Sequence, residues 1–405
     1  MEPRRSGLAN RHVVLGVTGG IAAYKACYLA SRLVQAGAIV DTLMTEAATR
    51  FVTPLTFQAL THLPVTTDMF HLLAETEIGH VSLADRADVM VIAPATANTI
   101  AEIVLGLAND MVSTTALATT APLVVAPAMD YKMWENTVTQ ENVNRLRERG
   151  ALIVEPGVGY LASGAVGQGR MAEPDVILEA VKYTLGRKGD LAGCRLVVTA
   201  GGTQEPIDPV RFVGNRSSGK MGYAVAEAAR DRGAEVTLIT APTALKPPEY
   251  VRIVRASTAR QMQQAVLEAT EHADALVMAA AVADYQPAQV AEQKIKKQQE
   301  VLAIRLEPTP DILASLPDGR LVKVGFAAES QDLIANARDK VRRKRLDLIV
   351  ANDITLPGSG FGADSNKVAL IDAEGHVEDL PLLPKLEVAH RILDRVIDRL
   401  RRRVL

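Results

Sequence analysis

Two glycine-rich turns, one in each half of the chain, contain residue types that can hold phosphate groups. Residues 18–20 (Thr-Gly-Gly) follow an apolar run and precede a stretch of helical periodicity. Residues 215–222 (NRSSGKMG) place two serines and Lys220 before another such stretch. Free amides at a helix start, hydroxyls and a mobile cation can together bind phosphates. The alternative for residues 18–20 is a tight turn that needs glycine, and the alternative for residues 215–222 is a solvated loop.

Neither turn has the spacing of a dinucleotide or Walker loop. The first lacks G-x-G-x-x-G, and Thr45 rather than an acidic residue follows the apolar run 39–44. In the second, methionine rather than serine or threonine follows Lys220. These departures favour a mononucleotide in the first half and a polyphosphate in the second.

Two titratable side chains of the first half could act on a ligand. His80 stands ahead of a predicted helix and strand, and Asp130 follows the apolar run 123–125 among methionines and Trp134. A histidine titrates near neutral pH and can move protons. Alternatively, His80 is a structural histidine and Asp130 is the N-cap of a helix.

The second half offers one carboxylate and several lysines. Asp284 follows five small residues at the end of a predicted strand, where a ligand can approach closely and an aspartate can serve Mg²⁺. Lys294 begins the run KIKK, and Lys340 and Lys344 are four residues apart on one helix face. Solvated surface charge is the alternative for these lysines.

Composition excludes several classes of protein. The 405 residues suit two domains of about 150 residues or more each. A net charge of -2 gives no basic field for nucleic acid, and 4% aromatic residues argue against base stacking. Cys27 and Cys194 form no metal-ligand motif and fit a reducing compartment. The most apolar stretch, 89–107, carries Glu102, and no apolar signal region begins the chain, so we expect a cytoplasmic protein.

The elements that must position these residues occur in the same order twice. A strand, a glycine turn, a helix and a strand are predicted at 12–17, 18–20, 21–36 and 39–44, and again at 195–199, 200–203, 222–231 and 236–239. Further strands are predicted at 89–92, 123–125, 275–278, 322–326 and 348–350, and a last helix at 386–402. This alternation predicts an α/β protein of two doubly wound, Rossmann-like domains, with ligands at the carboxyl ends of the strands. We place the domains at 1–185 and 193–405, joined by a linker at 186–192.

Four segments of the first half resemble the flavin-dependent cysteine decarboxylases. They are residues 18–25 (TGGIAAYK), 93–98 (APATAN), 127–134 (PAMDYKMW) and 167–171 (GQGRM). The resemblance implies a flavodoxin-like domain that binds FMN between the subunits of a trimer and acts on 4′-phosphopantothenoylcysteine. It implies that His80 is catalytic. It also implies FMN contacts from six residues: Gly20, Ile21, Thr45, Thr96, Ser113 and Thr114.

Two residues depart from the pattern of that family. Asp130 stands where an asparagine commonly binds the substrate carboxylate, and Ser163 where a cysteine commonly donates the last proton. A carboxylate facing a carboxylate repels it unless Asp130 is protonated or bound by a cation, and serine is a far weaker acid than a thiol. Either protons are relayed differently here, through water, or this half is impaired; the intact run 169–171 favours the relay. Asp130 and Ser163 therefore remain candidate catalytic residues.

The chemistry that the resemblance implies has no net redox change. Oxidation of the cysteine side chain to a thioaldehyde creates an electron sink β to the carboxylate. Carbon dioxide can then leave as an enethiolate forms. The flavin would accept the hydride first and return it afterwards. His80 would move protons or orient the reacting carboxylate.

The second half resembles the phosphopantothenate–cysteine ligases. Together, the segments of both halves, within residues 10 to 400, occur in the same order as in the bifunctional coenzyme A biosynthesis family. This resemblance implies a CTP site formed by Ala280, Ala281, Asp284, Lys294, Pro310, Asp311, Ile312, Leu313, Phe326, Lys340 and Lys344. It implies that Asn215 and Lys294 are catalytic, with Asp284 on Mg²⁺. The carboxylate of 4′-phosphopantothenate would attack CTP to give an acyl-cytidylate, from which the amine of cysteine displaces CMP.

Two other functions remain open at this point. An NAD(P)-dependent two-domain oxidoreductase is one, although the dinucleotide fingerprint is absent. A non-catalytic flavin-binding or regulatory relative is the other, supported only by Asp130 and Ser163. For the enzyme, trimers of the first domain and dimers of the second would close into a dodecamer.

Overall fold

The computed structural model describes residues 7–69, 79–297, 302–317, 319–329, 333–353 and 362–404. The chain divides into two compact units, Met1–Gly186 and Arg187–Leu405.

The first unit is built on a parallel sheet of six strands. These are β1 (His12–Val17), β2 (Ile39–Met44), β3 (Val65–Thr66), β4 (Val89–Ala95), β5 (Leu123–Pro127) and β6 (Leu152–Ile153), in the order β3-β2-β1-β4-β5-β6. A separate antiparallel hairpin consists of β7 (Gly157–Tyr160) and β8 (Val166–Arg170). The helices are α1 (Ala23–Gln35), α2 (Glu46–Thr49), α3 (Pro54–Thr61), α4 (Gly79–Arg86), α5 (Ala97–Leu105), α6 (Met111–Ala118), α7 (Tyr131–Trp134), α8 (Thr137–Glu148) and α9 (Pro174–Gly186).

Helices cover both faces of this sheet. Val13 and Leu15 pack in one apolar cluster with residues of α1, α3 and α9. Val14, on the opposite face, packs with residues of α4, α5, α6 and α8. Because both faces are covered, the strands are apolar throughout, and all seven residues of β4 are buried.

The strand order confirms the predicted doubly wound fold. The chain runs from β1 to β2 on one side and later to β4 on the other, so the crevice between the ends of β1 and β4 is the topological switch point. Without the two-residue edge strand β3, the order is that of a flavodoxin-like sheet; with it, the order is that of a six-stranded Rossmann sheet.

The second unit has a larger sheet of eight strands. Its strands are β9 (Arg195–Ala200), β12 (Glu235–Thr240), β13 (Arg252–Arg255), β14 (Ala275–Met278), β17 (Val322–Glu329), β18 (Leu348–Asp353), β20 (Val368–Asp372) and β21 (Val377–Asp379). Short paired strands are β10 (Gln204–Pro206), β11 (Phe212–Gly214), β15 (Tyr285–Pro287), β16 (Leu306–Pro308), β19 (Ser365–Asn366) and β22 (Leu383–Pro384). The helices are α10 (Lys220–Arg230), α11 (Ala259–Thr270), α12 (Leu333–Lys344) and α13 (Lys385–Val404).

This sheet has the order β13-β12-β9-β14-β17-β18-β20-β21. Its first six strands are parallel and follow Rossmann order, and β20 and β21 extend it as an antiparallel edge. The sequence did not predict that edge. The structure also corrects one position in the first unit: His80 lies in the first turn of α4 rather than ahead of a helix.

Gly202 permits a close approach of two backbones in the second unit. It bridges to Ala281, and a Cβ at this position would lie 2.5 Å from the carbonyl oxygen of Asn215. Gly202→Ala should therefore lower the free energy of unfolding by about 1–3 kcal/mol through overpacking, measured by urea denaturation.

Gly319→Ala is the matched control, since a Cβ at Gly319 meets no heavy atom of the described residues within 4 Å. We expect its free energy of unfolding to stay within about 0.5 kcal/mol of wild type. Equal urea midpoints for the two variants would contradict the steric argument.

Candidate functional site

Hydrogen bonds join the loops at the carboxyl edge of the first sheet. The Thr18 hydroxyl donates to the carbonyl oxygen of Pro94 at 2.7 Å and accepts from the backbone N–H of Thr96 at 3.1 Å. The backbone N–H of Thr45 donates to the carbonyl oxygen of Val17 at 3.1 Å. The loops after β1, β2 and β4 are therefore held together at the switch point, where ligands of doubly wound folds bind.

Four of the six predicted FMN residues follow these strands. Gly20 has open space where a Cβ would lie, and the apolar side chain of Ile21 is 62% exposed. Thr45 and Thr96 are the N-caps of α2 and α5. Two helix starts beside an exposed apolar residue and an open glycine fit a ligand with a phosphate and a flat apolar ring. These residues fit FMN.

The other two predicted FMN residues lie in the first turn of α6. The Ser113 hydroxyl is buried and accepts the backbone N–H groups of Asn109 and Asp110, both at 3.1 Å, in a capping box. The Thr114 hydroxyl donates to the sulfur of Met69 at 3.2 Å. The structure thus gives the Ser113 side chain a capping role, and its contact with FMN remains a prediction.

The His80 ring has a buried nitrogen, Nδ1. The ring is half-buried, and Nδ1 has no hydrogen-bond partner among the described residues. A buried polar atom without a partner costs free energy. A ligand that pairs with this nitrogen would remove that cost, which fits a residue acting on substrate.

Asp130 and Ser163, the two departures from the family pattern, are hydrogen-bonded to each other. The Ser163 hydroxyl donates to Oδ2 of Asp130 at 2.6 Å, and Oδ1 accepts the backbone N–H of Lys132 at 3.1 Å. The Ser163 hydrogen bond, followed by the N–H and charge of Lys132, holds the pKa of Asp130 below its ordinary value. The lowered pKa keeps the Asp130 carboxylate ionised at neutral pH. Of the two ways in which Asp130 could accept a substrate carboxylate, protonation of Asp130 is therefore disfavoured relative to a bound cation.

The β7–β8 hairpin brings Ser163 to Asp130. The backbone N–H of Met129 donates to the carbonyl oxygen of Gly169 at 3.0 Å, and a Cβ on Gly169 would lie 2.2 Å from the Met129 oxygen. The residue before Asp130 thus touches the backbone of β8. Gly164, with φ of 86°, closes the turn beside Ser163.

The second unit contains a cavity of about 620 Å³ at the carboxyl edge of its sheet. Eleven of the predicted ligase residues line it: Asn215, Ala280, Ala281, Asp284, Pro310, Asp311, Ile312, Leu313, Phe326, Lys340 and Lys344. They come from segments far apart in the chain, which the parallel strands bring to one edge.

Backbone contacts hold the small residues of this cavity in place. The backbone N–H of Ala281 donates to the carbonyl oxygen of Gly201 at 2.8 Å. The Asn215 side-chain amide donates to the carbonyl oxygen of Val282 at 2.9 Å. Asp284 is exposed, and its carboxylate is available to a cation bound with substrate phosphates, as Mg²⁺ commonly is.

The two lysines of α12 are oriented by neighbouring oxygens. Lys340 donates to the carbonyl oxygen of Phe326 at 3.1 Å, and Lys344 forms an ion pair with Asp311 at 3.0 Å. Burial would raise the pKa of Asp311, but the hydrogen bond from Lys344, the N–H of Ala314 and the lysine charges together lower it. Both cations are thus held at the cavity wall.

Lys294 is not among the residues that line this cavity. Its side chain is exposed, and the next residue, Ile295, is attached elsewhere: its N–H donates to Asp208 at 3.1 Å and its carbonyl oxygen accepts from Arg211 at 2.8 Å. Arg211 and backbone N–H groups hold the pKa of Asp208 well below its ordinary value. Contact of Lys294 with a nucleotide remains a prediction.

Sequence reasoning assigned no binding role to six residues of the cavity wall. They are Met278, Thr309, Ala327, Asn352, Asn366 and Lys385. Met278 and Asn352 end or follow predicted strands, a signal that was available in the sequence. Asn366 and Lys385 come from β19 and the start of α13, where no local pattern indicates a ligand.

Two family descriptions match the chain. "Flavoprotein" matches residues 2–186, and "DNA/pantothenate metabolism flavoprotein C-terminal domain" matches residues 191–400. With the two sheet-edge sites, these matches define the class: a two-domain flavoprotein of pantothenate metabolism. Among the described residues, no helix is long and apolar enough to cross a membrane.

The chain belongs to the family of bifunctional coenzyme A biosynthesis proteins. The coenzyme A biosynthesis bifunctional protein CoaBC of Bacillus subtilis (strain 168) is 46% identical over 394 residues, 96% of this chain and 97% of the relative. The protein of the same name from Escherichia coli (strain K12) is 44% identical, over 97% and 98%. A solved C-terminal domain of a CoaBC protein is 41% identical, covering 53% of this chain and 99% of that domain, with a TM-score of 0.46.

The hydrogen bond between Ser163 and Asp130 predicts a measurable shift. In Ser163→Ala the pKa of Asp130 should rise toward the ordinary aspartate range, because the largest cause that lowers it is gone. NMR titration of aspartate labelled with carbon-13 at the carboxyl group would then place the Asp130 midpoint at higher pH. Ser163→Thr, which keeps a hydroxyl, should titrate near wild type. A shared midpoint for all three proteins would contradict the interaction.

Proposed function

We propose that the chain carries out two consecutive steps of coenzyme A biosynthesis. The unit Arg187–Leu405 ligates cysteine to 4′-phosphopantothenate at the expense of CTP, and the unit Met1–Gly186 decarboxylates the product with FMN. Family membership along nearly the whole chain carries this proposal. It disfavours the NAD(P)-dependent oxidoreductase, whose dinucleotide fingerprint the sequence also lacks.

In the ligase reaction, two anions must meet in the cavity of the second unit. A carboxylate oxygen of 4′-phosphopantothenate attacks the α-phosphorus of CTP, and pyrophosphate leaves. The amine of cysteine then attacks the acyl carbon, loses a proton, and CMP leaves as the amide forms. Lys340 and Lys344, held at the cavity wall, would stabilise charge on the phosphates, and Asp284 would hold Mg²⁺. Asn215 would contact the acyl-cytidylate.

The roles of the remaining CTP residues follow from their chemistry. Ala280, Ala281 and Phe326 line the cavity. The two alanines would leave room for the nucleotide, and Phe326 would give an apolar surface for its base. Residues 310–313 also line the cavity. The role of Lys294 as a catalytic cation is supported by the family resemblance alone.

In the decarboxylase reaction, FMN when bound supplies reversible hydride acceptance. Gly20, Ile21, Thr45 and Thr96 would hold it at the switch point, and the α6 residues Ser113 and Thr114 would lie beside it. The chain itself would position the substrate and manage its protons. His80, whose Nδ1 has no hydrogen-bond partner in the described part of the chain, would exchange a proton with the substrate or orient its carboxylate.

Asp130 and Ser163 would act as a pair on the other side of the substrate. Because Asp130 is ionised in the unliganded protein, a substrate carboxylate would approach it together with a cation or a proton. Ser163 orients the aspartate and passes a proton through water rather than donating as a thiol would.

The assembly belongs to the same proposal. Trimers of the decarboxylase unit and dimers of the ligase unit would form a dodecamer in the cytoplasm, with small-molecule substrates as the only other partners. The resemblance to the family is its support, and light scattering measures the subunit number.

The histidine proposal predicts a specific loss of decarboxylation. His80→Asn should lower the rate of carbon dioxide release from 4′-phosphopantothenoylcysteine by about 10²-fold or more, because a proton-transfer group is removed. Its visible flavin absorbance should stay as in wild type. The control is His62→Asn: His62 is exposed and has φ of 61°, a backbone conformation that asparagine tolerates. Normal carbon dioxide release by His80→Asn would refute the assignment.

The metal proposal predicts a shift in magnesium dependence. Asp284→Asn should raise the Mg²⁺ concentration for half-maximal CTP-dependent pyrophosphate release by about tenfold, because a charged oxygen ligand is lost. The assay contains both 4′-phosphopantothenate and cysteine, and release should need both. Asp379→Asn, an exposed carboxylate on β21, is the matched control. An unchanged Mg²⁺ requirement in Asp284→Asn would remove Asp284 from the metal site.

A further inference from the structure

Two lysines from different helices line one end of the cavity in the second unit. Lys220 is the first residue of α10, and Lys385 is the first residue of α13. Lys385 is only 7% exposed. Asn366, 4% exposed, lines the cavity beside them. Ser217 and Ser218, also in the wall, precede Lys220, so this end of the cavity is lined by donors.

The present contacts of the two lysines are with oxygens of one short segment. Lys220 Nζ donates to the carbonyl oxygen of Gly362 at 2.8 Å and forms an ion pair with Asp364 at 2.6 Å. Lys385 Nζ donates to the carbonyl oxygens of Ala363 and, at 3.5 Å, Ser365. The Asp364 side chain is 93% exposed, so solvent screens its attraction to Lys220.

The positive charge on Lys385 is held there at a cost. Burial, and then the nearby charge of Lys220, lower the pKa of its ammonium group. The start of a helix is also an unfavourable place for a cation. An anion in the cavity would offset all three effects, because it would replace lost hydration and screen the two lysines from each other.

We propose that Lys220, Lys385 and Asn366 form a subsite that binds a phosphoryl group of a ligase substrate. The phosphoryl oxygens would replace Asp364 as the partner of Lys220 and lie within reach of Lys385. The identity of the ligand rests on the proposed ligase function, whereas the anion site itself rests on the cavity and its lysines. Two sources share this chemistry: the phosphates of CTP beyond the first, and the phosphate of 4′-phosphopantothenate.

Calorimetric titration of Lys385→Met in the full-length protein tests the subsite and separates its two sources. The ligands form two pairs that differ in phosphate: CTP with CMP, and 4′-phosphopantothenate with pantothenate. Loss of a charged hydrogen bond should weaken one phosphorylated ligand by about tenfold or more, while its counterpart changes less than about twofold. The pair that responds identifies the phosphate. The proposal would be overturned if, in both pairs, Lys385→Met weakened the two ligands of the pair equally. It would also be overturned if the substitution weakened no ligand.

Lys323→Met is the matched control. Lys323 is a buried lysine of β17, 5% exposed, that does not line the cavity. Its substitution should leave the affinity ratio within each pair unchanged. Circular dichroism of both variants shows whether either substitution unfolds the protein.

Asp364→Asn keeps the test decisive if Lys385→Met fails to fold, because the exposed side chain can change without unfolding the protein. Removal of the carboxylate that pairs with Lys220 should tighten the responding phosphorylated ligand by about threefold or more. Unchanged affinity for every ligand would overturn the proposal. Inorganic pyrophosphate is titrated as well: if wild type binds it but neither CTP nor 4′-phosphopantothenate, the ligase function fails and the anion subsite stands.

Discussion

Parallel pairing of β1 with β4 and of β9 with β14 determines where the candidate functional residues lie. Strands that run the same way end at the same edge of a sheet, so the loops after them must share that edge. In each sheet the first strand, β1 or β9, has later strands on both sides. The loops after the strands therefore lead to opposite sides and leave a crevice between them. Thr18 spans this crevice in the first unit, and the bridge from Gly202 to Ala281 spans it in the second. Both sites depend on this one constraint.

The same constraint explains how much could be predicted from the sequence. Apolar runs that end in small or polar residues mark the buried parallel strands, and β2 and β14 have the bounds that those runs predict. The residues just after the strands, such as Asp284, then follow directly. The antiparallel edge β20–β21 could not be predicted in this way, because a short turn through Gly375 joins its strands and no helix lies between them. Lys385 was missed for a related reason: its neighbour Lys220 is 165 positions away in the chain.

The pair Asp130 and Ser163 shows what sequence comparison leaves out. As separate departures from a family pattern, each suggests a weakened site. In the structure the hydroxyl donates to the carboxylate at 2.6 Å, so the change at one position provides a partner for the change at the other. The pair also introduces a negative charge, because an ionised aspartate at position 130 replaces the neutral amide that is common in the family. In the proposed decarboxylase reaction, the substrate would therefore bring a counter-charge or a proton to bind there, and proton transfer would depend on that uptake.

Charge also governs the second unit, where the proposed reaction joins two anions. Repulsion between a carboxylate and a nucleoside triphosphate must be offset before they can react, and lysines at the wall do this only if they stay charged when water leaves. Lys344 forms an ion pair with Asp311, and Lys220 forms one with Asp364. Burial and the charge of Lys220 make the surroundings of Lys385 unfavourable for an ammonium group, and its Nζ donates to the carbonyl oxygens of Ala363 and Ser365. In the proposed reaction, the four lysines that line the cavity would let each substrate phosphate meet a positive charge before the carboxylate reaches the α-phosphorus.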